Sequence, residues 1–256
     1  MKQLCNLWGI ELNKKRISDV AFVLHVRAYR ESSLLIDFFT RHFGRVRSIA
    51  KGVKRPKSLL RSVLLPTTLL NISLVGRKDL KNLTQSEIIK HFSITSSLNL
   101  NCTLYLNELL IKFIENEDPH PNIFDQYRSF LDSIEKHTNV EKVEAHLRRF
   151  ELILLKELGY GIDLDLEART GKKIKQESTY SFNPMQGFSA QVNSDLSTKD
   201  GLFRGKDILN IARDDFSSSQ TRMASKRILR EALDNHLGHK RLNIRRFLTS
   251  SEVQND

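Results

Sequence analysis

Cysteine is almost absent from this 256-residue chain: Cys5 and Cys102 form no C-x-x-C pair, which leaves neither a disulfide framework nor a cysteine zinc site. Glycine (11) and proline (5) are too few for a collagen-like or linker-like chain. No long apolar run exists; the uncharged stretch Ser62 to Gly76 is 15 residues with Pro66 inside it, too short to span a membrane as a helix. The amino terminus lacks an apolar run of signal-peptide length, and its basic cluster Lys14-Lys15-Arg16 follows the apolar residues. A soluble, cytoplasmic, globular protein is expected.

Several chemistries are also missing. The nearest approach to a phosphate-binding loop, Gly201-x-x-x-Gly205-Lys206-Asp207, has the wrong spacing and puts Asp where a magnesium-binding hydroxyl is needed. Of the eight histidines only His236 and His239 lie close together, across Gly238 and with no cysteine nearby, so a solvated helix end is expected there. Asp163-x-Asp165-x-Glu167 could line three carboxylates along an extended segment, but an acidic turn is the simpler reading. No nucleophile–base order stands out, so no catalytic residue is assigned.

What the chain has in excess is positive charge, and it is segregated. Lys and Arg number 41 against 30 Asp and Glu; residues 1–81 alone hold 17 basic and 5 acidic side chains, whereas the remainder is close to neutral. A basic face confined to one module is the footprint of a polyanion binder, usually nucleic acid.

That module reads as short strands. Phe22 to Arg27 alternates an apolar set (Phe22, Leu24, Val26) with a mixed one, Ser33 to Phe39 and Arg45 to Ala50 follow, and Leu65 to Val75 and Asn82 to Ile88 complete five. Turns fall at Tyr29–Glu31, Arg41–Gly44 and Gly76–Asp79, and Lys51–Ser58 is a basic loop. Five antiparallel strands at this spacing predict a small barrel or sandwich.

After about His91 the period changes to helical. One helix is apolar on most sides (Leu100 to Ile114), and one begins at Pro121. Another runs to Leu158 with Gly159 as its C-cap, and a last one spans Gln220 to Leu237 behind a capping box Ser217-x-x-Gln220. Between Ile162 and Gly205 the pattern breaks into small hairpins or loops.

If the strands close as a five-stranded Greek-key barrel of the OB type, single-stranded nucleic acid is expected across strands 2 and 3 and the 1–2 and 4–5 loops. Arg27, Tyr29 and Arg30 then lie in or beside the first loop, with Arg77 and Lys78 in the second. Arg45 and Arg47 project from strand 3, and Lys51, Lys54, Arg55 and Lys57 from the loop after it. Cations there neutralise phosphates, while Tyr29, Phe39 and Phe43 are the candidate stacking platforms.

Thirteen residues, Val23 to Leu35 (VLHVRAYRESSLL), resemble the opening of the RecO family of bacterial recombination mediators, as do Phe39–Arg47 and Ala50-Lys51-Gly52. Further along, Tyr105–Leu110, Leu147-Arg148-Arg149-Phe150-Glu151, Leu158-Gly159-Tyr160-Gly161 and His236–Lys240 follow in the family's order. The resemblance covers about residues 19–248. It implies an α+β multi-domain chain: an amino-terminal OB-fold barrel (19–90), an α-helical domain (91–161 and 205–248) and a small irregular insert (162–204), between an extension (1–18) and a disordered tail (249–256). It implies a non-enzymatic function: binding single- and double-stranded DNA, annealing complementary strands, and acting with RecR to place recombinase on DNA coated by single-stranded-DNA-binding protein. That coating protein's acidic, hydrophobic tail is expected in the helical domain, with Arg148, Arg149 and Leu152 as candidates; alternatively one arginine is solvated and the other pairs with Glu144 or Glu151. Many relatives hold zinc through four cysteines in the insert; here there are none, so neither zinc nor any other cofactor is expected. An RNA-binding OB protein and a nuclease using Asp163, Asp165 and Glu167 are the competing readings.

Overall fold

The computed structural model describes residues 16–55, 58, 60–76, 79–136, 139–191, 201–238 and 242–244. Lys57, Arg77, Lys78, His239, the start of the amino-terminal extension and the 249–256 tail lie outside them. The chain forms two compact units. Among the described residues, the first comprises those within 16–92 and 114–121, the second those within 93–113 and 122–244.

The first unit is a closed barrel of β1 (Arg16–Tyr29), β2 (Ser33–Thr40), β3 (Gly44–Ala50), β4 (Thr68–Val75) and β5 (Leu80–His91), in the order β1-β2-β3-β5-β4. A one-turn helix, α1 (Leu60–Val63), packs its Leu60 and Val63 against the interior. Antiparallel hairpins join β1 to β2 and β2 to β3, and three parallel pairs, Arg47↔Leu80 to Ile49↔Asn82, close the ring. The interior is Ile17, Ala21, Val23, Ile36, Phe38, Val46, Leu70, Ile72 and Leu74. Each large side chain fully withdrawn from water stabilises the fold by about 1.5–3 kcal/mol before entropy is charged.

One strand departs from the simple alternation. β1 pairs Val23 with Phe38 but His25 with Asp37, so Leu24 is the extra residue of a bulge. The bulge shifts parity. Val23 and Val26 join the interior, whereas Phe22, expected to share a face with Val26, instead packs on Phe92 with ring centroids 6.1 Å apart.

The polar segment Ile114–Pro121 belongs to the barrel unit. Glu117 N–H donates to the Arg45 carbonyl at 2.8 Å, and the Arg45 Nε donates to the Ile114 carbonyl at 2.9 Å. The buried Lys81 ammonium pairs with Glu117. Gly44 is required at this contact: its φ is +66°, and a Cβ there would sit 1.8 Å from the Asp118 carbonyl oxygen.

The second unit contains α2 (Ser97–Phe113), α3 (Pro121–Lys136), α4 (Val140–Glu157), α5 (Gly205–Ala212) and α6 (Ser219–Leu237). α2 is buried on several sides, and α3 turns Ile123, Phe124, Tyr127, Phe130, Leu131 and Ile134 inward. Tyr127 and Phe130 meet Phe150 of α4. Asn139 caps α4 through its side chain, and Gly159 follows its end at φ +81°. The N-cap of α6 is Ser218, not Ser217: the Ser218 hydroxyl bonds the Gln220 side chain rather than a backbone N–H, so the expected capping box does not form. The region between α4 and α5 carries a three-stranded sheet, β7-β6-β8, made of β6 (Thr179–Asn183), β7 (Gly187–Gln191) and β8 (Leu202–Arg204). Its core is Tyr180, Phe188 and Phe203, with Phe182 half-buried beside them.

Candidate nucleic-acid interface

Pairing across β1, β2 and β3 sets out the barrel's outer face in rows: Arg27–Leu35–Ile49, then His25–Asp37–Arg47, then Phe22–Phe39–Arg45. The last row is covered. Phe22 and Phe39 are fully buried, so Phe39, a candidate stacking platform, is not available to a base. Phe43 is half-buried against the barrel interior and serves packing as well. Tyr29 is the remaining aromatic, half-buried at the end of β1, with the Arg30 guanidinium 5.3 Å from its ring centroid.

The two loops at this end are tied together. Arg30 takes a left-handed conformation (φ +51°), and its carbonyl accepts from the Lys54 ammonium at 2.9 Å. The Lys54 N–H reaches the Ser32 carbonyl at 3.2 Å, so the β1–β2 turn and the basic loop after β3 form one surface. Arg27, Arg30, Lys51, Lys54 and Arg55 are all exposed there, and none has a carboxylate partner among the described residues. Arg45 differs: its side chain is only 13% exposed, held by Asp37 and Ile114. Arg47, 43% exposed, donates its Nε to the same Asp37 oxygen. Asp37 was not among the residues singled out from sequence; the only signal there is a lone acid within an otherwise apolar strand.

The helical-unit candidates separate. Arg148 is buried: its Nη1 donates to Glu151 at 2.6 Å, and Glu151, fully buried, accepts at 2.6 Å from the Tyr105 hydroxyl. Arg149 is accessible. Its Nε donates to both Asp214 oxygens, at 2.6 and 2.8 Å, and its guanidinium lies 5.5 Å from the Phe216 ring centroid. It lines a depression of about 430 Å³ with Lys142, His146, Phe216 and Arg222 and with the carboxylates of Glu141, Asp214 and Asp215, while Leu152 packs half-buried against the core that contains Phe216.

The acidic triplet is occupied by turn formation. Asp163 accepts from the Asp165 and Leu166 N–H groups, and Glu167 from the Thr170 hydroxyl and the Ala190 N–H, bonds that hold its carboxyl below the ordinary range. Among the described residues no group of three or more His, Cys, Asp or Glu side chains is placed to hold a metal. No helix is long and apolar enough to cross a membrane, again among the described residues. Cys102 is buried, and burial pushes its thiol up to about 12, leaving it unreactive.

A closed five-stranded barrel of this strand order, followed in the chain by an α-helical unit, defines the OB-fold class. Comparison with known families narrows the class. Residues 15–92 match the family described as Recombination protein O N terminal, and residues 96–246 match Recombination protein O C terminal. The DNA repair protein RecO of Glaesserella parasuis serovar 5 is 40% identical over 229 residues, covering 90% of this chain and 93% of the relative. The protein of the same name from Haemophilus influenzae is 39% identical over 230 residues, covering 90% and 94%. The chain belongs to the RecO family of DNA repair proteins.

Proposed function

We propose that the protein is a non-enzymatic, cytoplasmic recombination mediator that holds DNA on the β1–β3 face and anneals complementary strands. The carrying observation is the continuous patch of Arg27, Arg30, Lys51, Lys54 and Arg55, exposed and without carboxylate partners among the described residues. Such cations neutralise phosphates and release counterions irrespective of sequence, which suits a protein that must accept any single strand, or a duplex. Tyr29 adds a stacking surface beside them. Arg45 contributes to the fold of this face rather than to contact, because its side chain is only 13% exposed and its Nε and Nη1 are engaged inside the unit. Lys57, Arg77 and Lys78 extend the same reading in sequence.

Partners follow from the same chemistry. Arg149 and Leu152, with Phe216 alongside, offer a cation next to apolar surface, which is what an acidic, hydrophobic tail requires; this supports docking of the single-stranded-DNA-binding protein's tail. RecR is the proposed co-mediator that, with this protein, loads recombinase on coated DNA, as family membership implies. Mixing the full chain with labelled complementary strands tests the core of this reading. Duplex formation without nucleotide is expected, and replacing Lys54, Arg55 and Lys57 together with Ala weakens DNA binding and slows annealing. Strand cleavage on adding magnesium, or a marked preference for RNA, overturns it.

A further inference from the structure

Asp37 is an acid in the middle of a basic surface. It lies between His25 and Arg47 in the cross-strand row, is 5% exposed, and faces the strip where a polyanion is proposed to lie. By charge alone it opposes such a ligand. Its geometry points to a different role, since one carboxylate oxygen, Oδ1, accepts from Arg47 Nε and from Arg45 Nη1, each at 3.2 Å. Arg45 is committed elsewhere as well, through its Nε to the Ile114 carbonyl. Arg47 has no second partner among the described residues, so its two terminal nitrogens are unengaged on the exposed side.

We infer that Asp37 is a positioning residue: it fixes the Arg47 guanidinium by its Nε so that the two terminal nitrogens form a preset fork for one backbone phosphate. A guanidinium fork matches a phosphate in two parallel hydrogen bonds, and holding it in advance spares the rotamer entropy lost when a free arginine is captured. This rests on the DNA-binding reading of the β1–β3 face.

The test is anisotropy of a labelled single-stranded oligonucleotide titrated with the full chain at several salt concentrations. Asp37→Asn removes a negative charge beside the proposed ligand, so electrostatics alone calls for tighter binding. Positioning calls for the opposite: about a 3- to 10-fold weakening, substantially recovered in Asp37→Glu. In an Arg47→Ala background the same Asp37→Asn change costs nothing or tightens binding, whereas general damage to the barrel weakens binding in both backgrounds. Arg47→Lys keeps the charge and leaves the Asp37–Arg45 link intact; it also weakens binding 3- to 10-fold, and decides the matter should Asp37→Asn fail to fold. Tighter or unchanged binding in Asp37→Asn, or wild-type affinity in Arg47→Lys, overturns the positioning role. If Arg47→Ala changes neither affinity nor its salt slope, DNA does not lie on this face, and the reading beneath the inference falls with it.

Discussion

Arg148 and Arg149 are neighbours in sequence and opposites in environment. Successive helix residues are turned about 100° apart, so one of an adjacent pair faces the core while the other faces water. The sequence alone does not say which. In the structure Arg148 answers a fully buried carboxylate, Glu151, while Arg149 makes an accessible pair with Asp214. Removing one partner of a buried ion pair strands the other charge and costs about 3–5 kcal/mol, whereas an exposed pair contributes about 0–1 kcal/mol. Arg148→Ala is therefore expected to lower the urea unfolding midpoint sharply, and Arg149→Ala to leave it nearly unchanged. Equal midpoints for the two variants would contradict the burial argument. For the same reason Arg149→Ala is the clean probe of acidic-peptide docking: titrated with a peptide ending in acidic and apolar residues, it is expected to lose binding while keeping its stability and its affinity for bare DNA.

At the scale of elements, turns and helix ends marked by glycine or proline were readable because these residues act locally, whereas the side-chain capping box read at Ser217 does not form. Gly44 between β2 and β3, Pro121 opening α3 and Gly159 after α4 all stand where the sequence placed them. The bulge at Leu24 was not readable, since one additional apolar residue leaves a plausible alternation behind it. Nor was the role of Ile114–Pro121, a polar stretch that resembles a linker and whose docking depends on a glycine some seventy residues earlier. The carboxyl-terminal described segment shows a similar long-range anchor. Burial raises the Glu108 carboxyl, but the N–H groups of Asn243 and Ile244, at 2.9 and 3.0 Å, outweigh it together with Lys112 and hold the group below its usual range. With the folded value depressed, native Glu108 binds fewer protons than unfolded Glu108, so its stabilisation is present above the ordinary carboxylate range and drains as pH falls through the folded value. Glu108→Gln is expected to cost about 1–2 kcal/mol at pH 7, as a charge-assisted pair of hydrogen bonds is weakened. Denaturant titrations at falling pH should show that gap closing below about pH 4. A gap constant down to pH 3 would mean the carboxylate charge is not what holds the segment.

Across the whole molecule the decisive feature was legible by counting: nearly all the excess positive charge lies in residues 1–81. Counting does not show which cations are neutralised. In the helical unit Arg148, Arg149, Arg204 and Arg222 each meet a carboxylate, whereas Arg27, Arg30, Lys51, Lys54 and Arg55 of the barrel meet none among the described residues. Free cations, not total cations, set how many counterions a nucleic acid sheds on binding. About six phosphate contacts give a slope near −4 in log K against log salt for single strands, each contact contributing about −0.7. Reversing two barrel charges, Arg27→Glu with Lys51→Glu, is expected to flatten that slope by at least about 1.4 units and to weaken binding most at low salt. Reversing two exposed cations of the helical unit, Lys172→Glu with Lys173→Glu, changes the protein's net charge by the same amount. If net charge alone attracted DNA, the two double variants would bind alike. With the contacts confined to the barrel face, the second variant keeps the wild-type slope and loses only a small, salt-screened share of affinity. Equal flattening in both would spread the DNA path over the two units and dissolve the assignment to β1–β3.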